Sequence, residues 1–416
     1  MAGRYFFRSV IAGVWRLKNF QLIWTSQLAS ALGSAVHVVA LPVIAIELLK
    51  ASVFEVSLIS ASRYIPNLLF SIPIGHFVDG HNRKKSAVIS DGLRAGLVAA
   101  IPILFFYDQL TVVLLTLISF LLGTTRIFFD MSLSSIIPVV IPKEDRLAAN
   151  ASLESISAVS NIAGPGVGGI VITLLSPVIA LVIDGISFFL SALLLSKLNA
   201  IEAITEKKKA RTFNVWAGFS ELYRQPVLLG LLLTGAIANI GFMAVQSVYF
   251  VAALGMFGFD AGTASALLMM SGVGALLGNM LCVTLSARYS FKWVMLVSLV
   301  VMISGSVAML LANADKLINT LLVGSGYLLW GGCLGVFNTF STTFRQQVVK
   351  PELMGRVLGA ARTLVFGSFP LGALAGGTLG ELLGLRSVFV FNIVAVLLAI
   401  SVLTVTFRKA GKVSLT

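Results

Sequence analysis

The sequence predicts an all-α integral membrane protein, with twelve transmembrane helices arranged as two six-helix halves. Three observations carry this expectation. Apolar stretches long enough to span a bilayer succeed one another from residue 19 to residue 407. The intervals 225–259, 261–287, 293–314, 317–344 and 387–407 hold no charge at all, and a crossing helix needs about 20 apolar residues. Mean hydropathy over the chain is +0.98, and what lies outside the stretches is too short for a soluble domain of roughly 50 residues or more. Finally, basic residues gather between alternate stretches.

The first span, about 20–46, has an uncharged run from Asn19 to Ile46. That is far longer than the roughly 7–15-residue core of a signal peptide, so an uncleaved helix is expected. Spans 2 to 6 follow at 56–78, 86–107, 110–138, 150–174 and 178–197. Leu175-Ser176-Pro177 between the last two is close to the shortest link a helical hairpin allows. The longest polar interval, Asn199 to Pro226, reads as a linker in which Phe213 to Tyr223 forms a short surface helix. Spans 7 to 12 are expected at 226–253, 261–286, 291–312, 317–344, 356–380 and 386–407. The chain therefore divides into an N-terminal half 1–198, a cytoplasmic linker 199–225 and a C-terminal half 226–416. Ile141-Pro142-Lys143-Glu144-Asp145-Arg146 leads into span 5, and Lys350-Pro351-Glu352-Leu353-Met354-Gly355-Arg356 leads into span 11. Each precedes a Gly/Pro segment, 164–169 and 367–377. Two parallel repeats around a central cavity account for this echo.

The net charge of +13 is a matter of topology. Of the 30 Lys and Arg, 23 fall on one side, while only Lys50, Lys316 and Arg386 fall on the other. By the positive-inside rule both termini are cytoplasmic, and no nucleic-acid partner is needed to explain the charge. Cys282 and Cys333 both lie in apolar spans and suggest neither a disulfide framework nor a metal site. No Walker A sequence, metal-ligand cluster or catalytic triad is present. Neither a cofactor nor enzymatic activity is expected.

Between spans 2 and 3 stands Gly75-His76-Phe77-Val78-Asp79-Gly80-His81-Asn82-Arg83-Lys84-Lys85. This resembles the loop signature of the major facilitator superfamily, with Gly80 and Asn82 as departures from it. The resemblance implies a gate built from Gly75, Asp79, Arg83 and Lys84. Gly75 would admit another helix closely, and Asp79 would face the positive N-terminus of span 11. In span 5, Gly164-Pro165-Gly166-Val167-Gly168-Gly169 resembles the antiporter motif of drug–proton exchangers, with Ser160 in place of its upstream glycine. Pro165 kinks the helix. Gly164, Gly168 and Gly169 are expected to pack on span 8, whose Gly272, Gly274 and Gly278 repeat the small-residue spacing.

Ionisable residues inside spans are costly and mark function by default. Arg126 and Asp130 lie four apart on span 4, and Asp91 and Arg94 three apart on span 3, so each pair shares a helical face. Asp130 is the first choice for carrying a proton and Asp91 the second, with structural ion pairing as the competing reading of both. Leu122 and Arg126 match the drug-exporter signature of span 4, but Phe129-Asp130 replaces its Gln-Gly. Asp184, near the external end of span 6, is expected at the headgroups. His37, Asn239, Gln246, Asn338 and Arg362 are the polar candidates for a substrate cavity, although a lone histidine more often simply packs. Phe242, Met243, Phe250, Trp330, Phe337, Phe366 and Phe369 either line that cavity or pack helices.

Arg63 to Pro66, Ser90 to Ala95, Ile183 to Phe188, Gly355 to Thr363 and Pro370 to Ala373 look like the bacterial macrolide-efflux and enterobactin-exporter group of the superfamily. The resemblance spans essentially the whole chain. It implies alternating access with proton antiport in a bacterial inner membrane, exporting a hydrophobic or amphipathic small molecule. Protons and lipid are then the other partners, and a monomer is expected. A siderophore exporter is the nearest rival, and a non-transporting membrane scaffold or receptor a more distant one.

Overall fold

In the computed structural model, residues 14–143, 145–199, 215–312, 315–349 and 354–409 are described, and among them there is no strand. The helices are α1 (Lys18–Val43), α2 (Val53–Ser62), α3 (Ile65–Asp79), α4 (Arg83–Phe106), α5 (Val112–Val140), α6 (Arg146–Leu175) and α7 (Pro177–Ser196). After the linker come α8 (Val215–Arg224), α9 (Pro226–Val251), α10 (Ala261–Arg288), α11 (Phe291–Leu311), α12 (Lys316–Val348), α13 (Met354–Leu383) and α14 (Leu385–Lys409). Ten helices among the described residues are long and apolar enough to cross a membrane.

Two expected spans look different. Span 2 is broken into α2 and α3 at Arg63-Tyr64. Pro66 has no N–H to offer Ser62, so the helix stops and restarts with Pro66 in its first turn, where no donor is required. Span 5 is continuous as α6, but only Ile162–Leu175 is uniformly apolar. Its first half carries Asn150, Ser152, Glu154, Ser155 and Ser157.

Local sequence sets the ends. Ser52 and Glu55 form a capping box at α2, the Ser52 Oγ accepting from the Glu55 N–H at 3.3 Å and the Ser52 N–H donating to Glu55 Oε2 at 2.7 Å. Ser176, at φ 107°, both ends α6 and caps α7, with Pro177 as first residue. That double role is what makes the three-residue link workable. A π-helical turn closes α1 at Ile44–Leu48 and another closes α9 at Ala252–Met256, each followed by a capped helix.

At the start of α10, Asp260 accepts from the Thr263 N–H and hydroxyl, both at 2.8 Å. These bonds, more than Lys316 at 3.4 Å, hold its carboxyl down at about 2. A depressed folded-state value stabilises the fold above the ordinary carboxylate value of about 4, and that contribution disappears as pH falls through about 2. Asp260→Ala should therefore melt below the parent protein at neutral pH, with the gap closing under acid. Thermal scans in detergent across pH read this directly.

The helices form two compact units. One holds the described residues through Ile44 and from Leu69 to Asn199; the other holds Ala45–Leu68 and the described residues from Val215 onward. Thus α2, which the linear division assigns to the N-terminal half, packs with α9 and α13. In the first unit α1 lies against α6 and α7, and α4 against α5 and α7. Ile23, Ala87, Phe129, Leu133, Ile136, Leu195 and Leu198 form an apolar core there.

The second unit is held by small residues. Lipid is as apolar as leucine, so membrane helices associate through close backbone approach. A Cβ added at Gly274 would lie 2.0 Å from the Leu328 carbonyl oxygen, at Gly278 2.2 Å from that of Gly332, and at Gly331 1.8 Å from that of Ser271. These glycines join α10 to α12. Gly372 and Gly376 similarly meet the Ile240 and Ala244 carbonyls of α9, and Gly377 meets Ser57 of α2. Gly331→Val forces those backbones apart and should cost about 1–3 kcal/mol, the usual range for overpacking. A lowered melting temperature in detergent is the expected reading.

Candidate functional site

In the first unit, α1, α4, α5 and α7 bring ionisable side chains together in pairs. Asp91 and Arg94 of α4 pair at 2.8 Å with their side chains 0% and 5% exposed. The Ser191 hydroxyl on α7 donates to Asp91 Oδ2 at 2.5 Å. The Arg94 guanidinium lies 3.9 Å over the Phe188 ring and 5.3 Å from that of Phe129. A charge pair so enclosed, satisfied by hydrogen bonds and aromatic faces from α7 and α5, ties three helices together.

Arg126 and Asp130 of α5 are a different kind of pair. They stand 3.4 Å apart with side chains 50% and 47% exposed. Val113, Leu117 and Leu121 form the exposed apolar stripe of the same helix. Arg126 follows Leu117, and Asp130 follows Leu121, by nine residues, which is about two and a half turns. The charged face is therefore opposite the apolar one. Together with exposed Ser134 it forms a polar strip turned away from the lipid stripe.

His37 and Asp184 require a correction. Asp184 is fully buried and so does not sit at the headgroups; its Oδ2 is 3.0 Å from Nδ1 of His37, which is 4% exposed. His37 thus packs between helices instead of lining a cavity. Two residues that read as isolated in the sequence are neighbours, because Gly33 and His37 occupy one face of α1. A Cβ at Gly33 would lie 2.0 Å from Ser187 Oγ and 2.7 Å from Asp184 Oδ1.

The glycine motif of α6 also finds a different partner from the one expected. A Cβ at Gly164 would stand 2.7 Å from that of Ala35, and one at Gly168 2.9 Å from the Ala35 carbonyl oxygen. The motif packs on α1, while the glycines of α10 pack on α12. Only a glycine surface lets α1 come this close. Pro165 lies within α6 just after the first of these contacts, and Gly169 is buried.

In the basic loop, Lys84 Nζ donates to the Leu198 carbonyl at 2.7 Å, and Arg83 to that of Ser135 at 3.3 Å. Both cations so serve helix C-terminal regions, where the backbone dipole favours them. A Cβ at Gly75 would meet, among the described residues, only the Met131 side chain at ordinary contact distance. The Asp79 side chain and the approach to span 11, residues 350–353 with the side chains to Arg356, lie outside the described residues.

In the second unit Trp330, Tyr249 and Tyr327 are fully buried. Trp330 Nε1 donates to the Met302 carbonyl at 2.9 Å, Tyr249 to that of Ala264 at 2.7 Å, and Tyr327 to Gln246 Oε1 at 3.3 Å. Met243, Phe250 and Phe337 are also core residues, so these aromatics pack helices. Gln246 and Asn239 are half-buried, and Asn338 and Arg362 are exposed, Arg362 lying 5.5 Å over the Phe366 ring. A groove of about 690 Å³ between α4 and α7, lined by Gly92, Gly96, Phe106 and Phe189 among others, has almost no polar lining and touches none of the ionisable pairs.

The sequence profile of the Major Facilitator Superfamily matches residues 23–369 and 257–414. The chain is a member of the major facilitator superfamily. It is 23% identical over 390 residues to macrolide efflux protein A of Streptococcus pyogenes, covering 91% of this chain and 93% of that protein. It is 26% identical over 381 residues to the multidrug efflux pump Tap of Mycolicibacterium fortuitum, covering 88% of this chain and 90% of the relative. Among solved structures, a bacterial homologue of the iron transporter ferroportin in its inward-facing state superposes with a TM-score of 0.74 at 15% identity, over 94% of this chain and 99% of that one. The nucleoside transporter NupG gives 0.74 at 17% identity, over 94% and 99%. These superpositions establish the transporter fold of the family. This superfamily member is a multi-pass membrane transporter.

Proposed function

We propose that the protein is a secondary-active exporter of hydrophobic or amphipathic small molecules in a bacterial inner membrane, driven by inward proton flow and working by alternating access. The observation that carries the coupling half is the Arg126–Asp130 pair. It is an accessible ion pair within one membrane helix, on the face opposite the exposed apolar stripe. Protonating Asp130 releases Arg126, and deprotonation restores the pair. That gives the proton a differential hold on two states, as coupling requires. The export half draws on the two relatives, one named for macrolide efflux and one for multidrug efflux. Alternating access is carried over from the superfamily to which the chain belongs. The basic bias of alternate loops supports cytoplasmic termini.

Efflux of ethidium and of a macrolide from cells expressing the protein, with and without a proton uncoupler, tests the reading. Uncoupler-sensitive efflux of either is expected. Undiminished retention of both, with the protein shown to be inserted, would replace it with transport of a dedicated metabolite such as a siderophore.

A further inference from the structure

We propose that His37 and Asp184 form a second proton-binding site, buried between α1 and α7, whose protonation state sets how firmly α1 is docked. Nδ1 and Oδ2 are 3.0 Å apart, yet off the angle of a hydrogen bond, so Nδ1 and both carboxylate oxygens are buried without a hydrogen-bonding partner. Buried polar atoms are normally satisfied, so three unsatisfied ones on a single pair call for an explanation. The room for it is made by Gly33, whose missing side chain admits both the Asp184 carboxylate and the Ser187 hydroxyl.

The surroundings isolate the pair. His37 is the sole ionisable residue of α1 after Lys18, and Asp184 the sole one of α7. From α4, the Arg94 guanidinium acts electrostatically on Asp184, while Asp91 is engaged by Arg94 and Ser191. From α6, Arg146 and Glu154 stand near the far end, and residues 155–175 hold no ionisable group. Arg126 and Asp130 of α5 belong to the accessible pair already described.

A single proton, held either by the imidazole or by the carboxylate, leaves the pair neutral overall. Adding a second leaves a net positive charge and removing the first a net negative one. Either is expensive in a buried site and is relieved by admitting water between α1 and α7. The proton comes from water and returns to water, and the change is carboxylate to carboxyl at Asp184. The face of α1 next to His37, formed by Ala35, Val36 and Val39, carries the contacts to Gly164 and Gly168 of α6. Movement of α1 at the pair is thereby movement against the glycine motif.

What the proton drives rests on the export reading; that it binds here does not. The test is pH-difference infrared spectroscopy of the purified protein in lipid nanodiscs between about pH 5 and about pH 9, which needs no substrate. The expected result is a carboxyl band that Asp184→Asn removes and Asp130→Asn leaves in place. In His37→Gln its midpoint rises by about one unit or more, since a neighbouring cation holds a carboxyl down by that amount. No band, or a band untouched by Asp184→Asn, overturns the proposal. If Asp184→Asn does not fold, His37→Gln decides: an unmoved midpoint overturns it.

Discussion

Asp130→Asn should reduce uncoupler-sensitive efflux to the level of cells lacking the protein, while membrane insertion stays unchanged. Asparagine keeps the size and a hydrogen-bonding oxygen but cannot take up or release a proton. The Arg126 guanidinium, half exposed at 3.4 Å, then faces the same neutral group in every state. Because the pair is accessible, losing its attraction costs the fold little, under about 1 kcal/mol. Function and stability therefore separate at this position. The comparison is efflux against the amount of protein in the membrane, and a variant that still exports ethidium down a proton gradient would remove Asp130 from the coupling role.

The opposite separation is expected at Asp91→Asn. Asp91 and Arg94 are 0% and 5% exposed, so the substitution strands a buried guanidinium without its counter-charge. Such breakage costs about 3–5 kcal/mol, and the variant should melt well below the parent in detergent or fail to accumulate. Replacing both partners, Asp91→Asn with Arg94→Gln, should recover a large part of the loss, because no uncompensated charge remains. Equal melting temperatures for Asp91→Asn and the parent would show that the pair is not enclosed as described.

Much of the fold was legible because its signals are local. Apolar length gives the spans, and the four- and three-residue spacings of Arg126–Asp130 and Asp91–Arg94 give contacts on a single helix whatever the packing. What burial each pair has was not legible, since one helix turns its charges inward and the other turns them to an accessible strip. Contacts between helices were harder still. Nothing near His37 in the chain points to Asp184, and the one signal that hints at it is the Gly33–His37 spacing opposite Asp184–Ser187. The glycines of 164–168 announced a close approach without naming α1 as the partner. Pro66 was visible in span 2, but hydropathy averages across a break of two residues and reads one helix where the backbone makes two. Arg83 and Lys84 fit the family's loop pattern, and their carbonyl partners on other segments became visible only in the structure.

The most direct test of proton-driven export is transport into proteoliposomes with an imposed pH gradient and no other energy source. With the protein oriented so that its cytoplasmic face is outward, an acidic lumen should drive ethidium inward, with the lumen losing protons as the dye enters. Accumulation that is the same with the gradient present, reversed or collapsed would contradict the account.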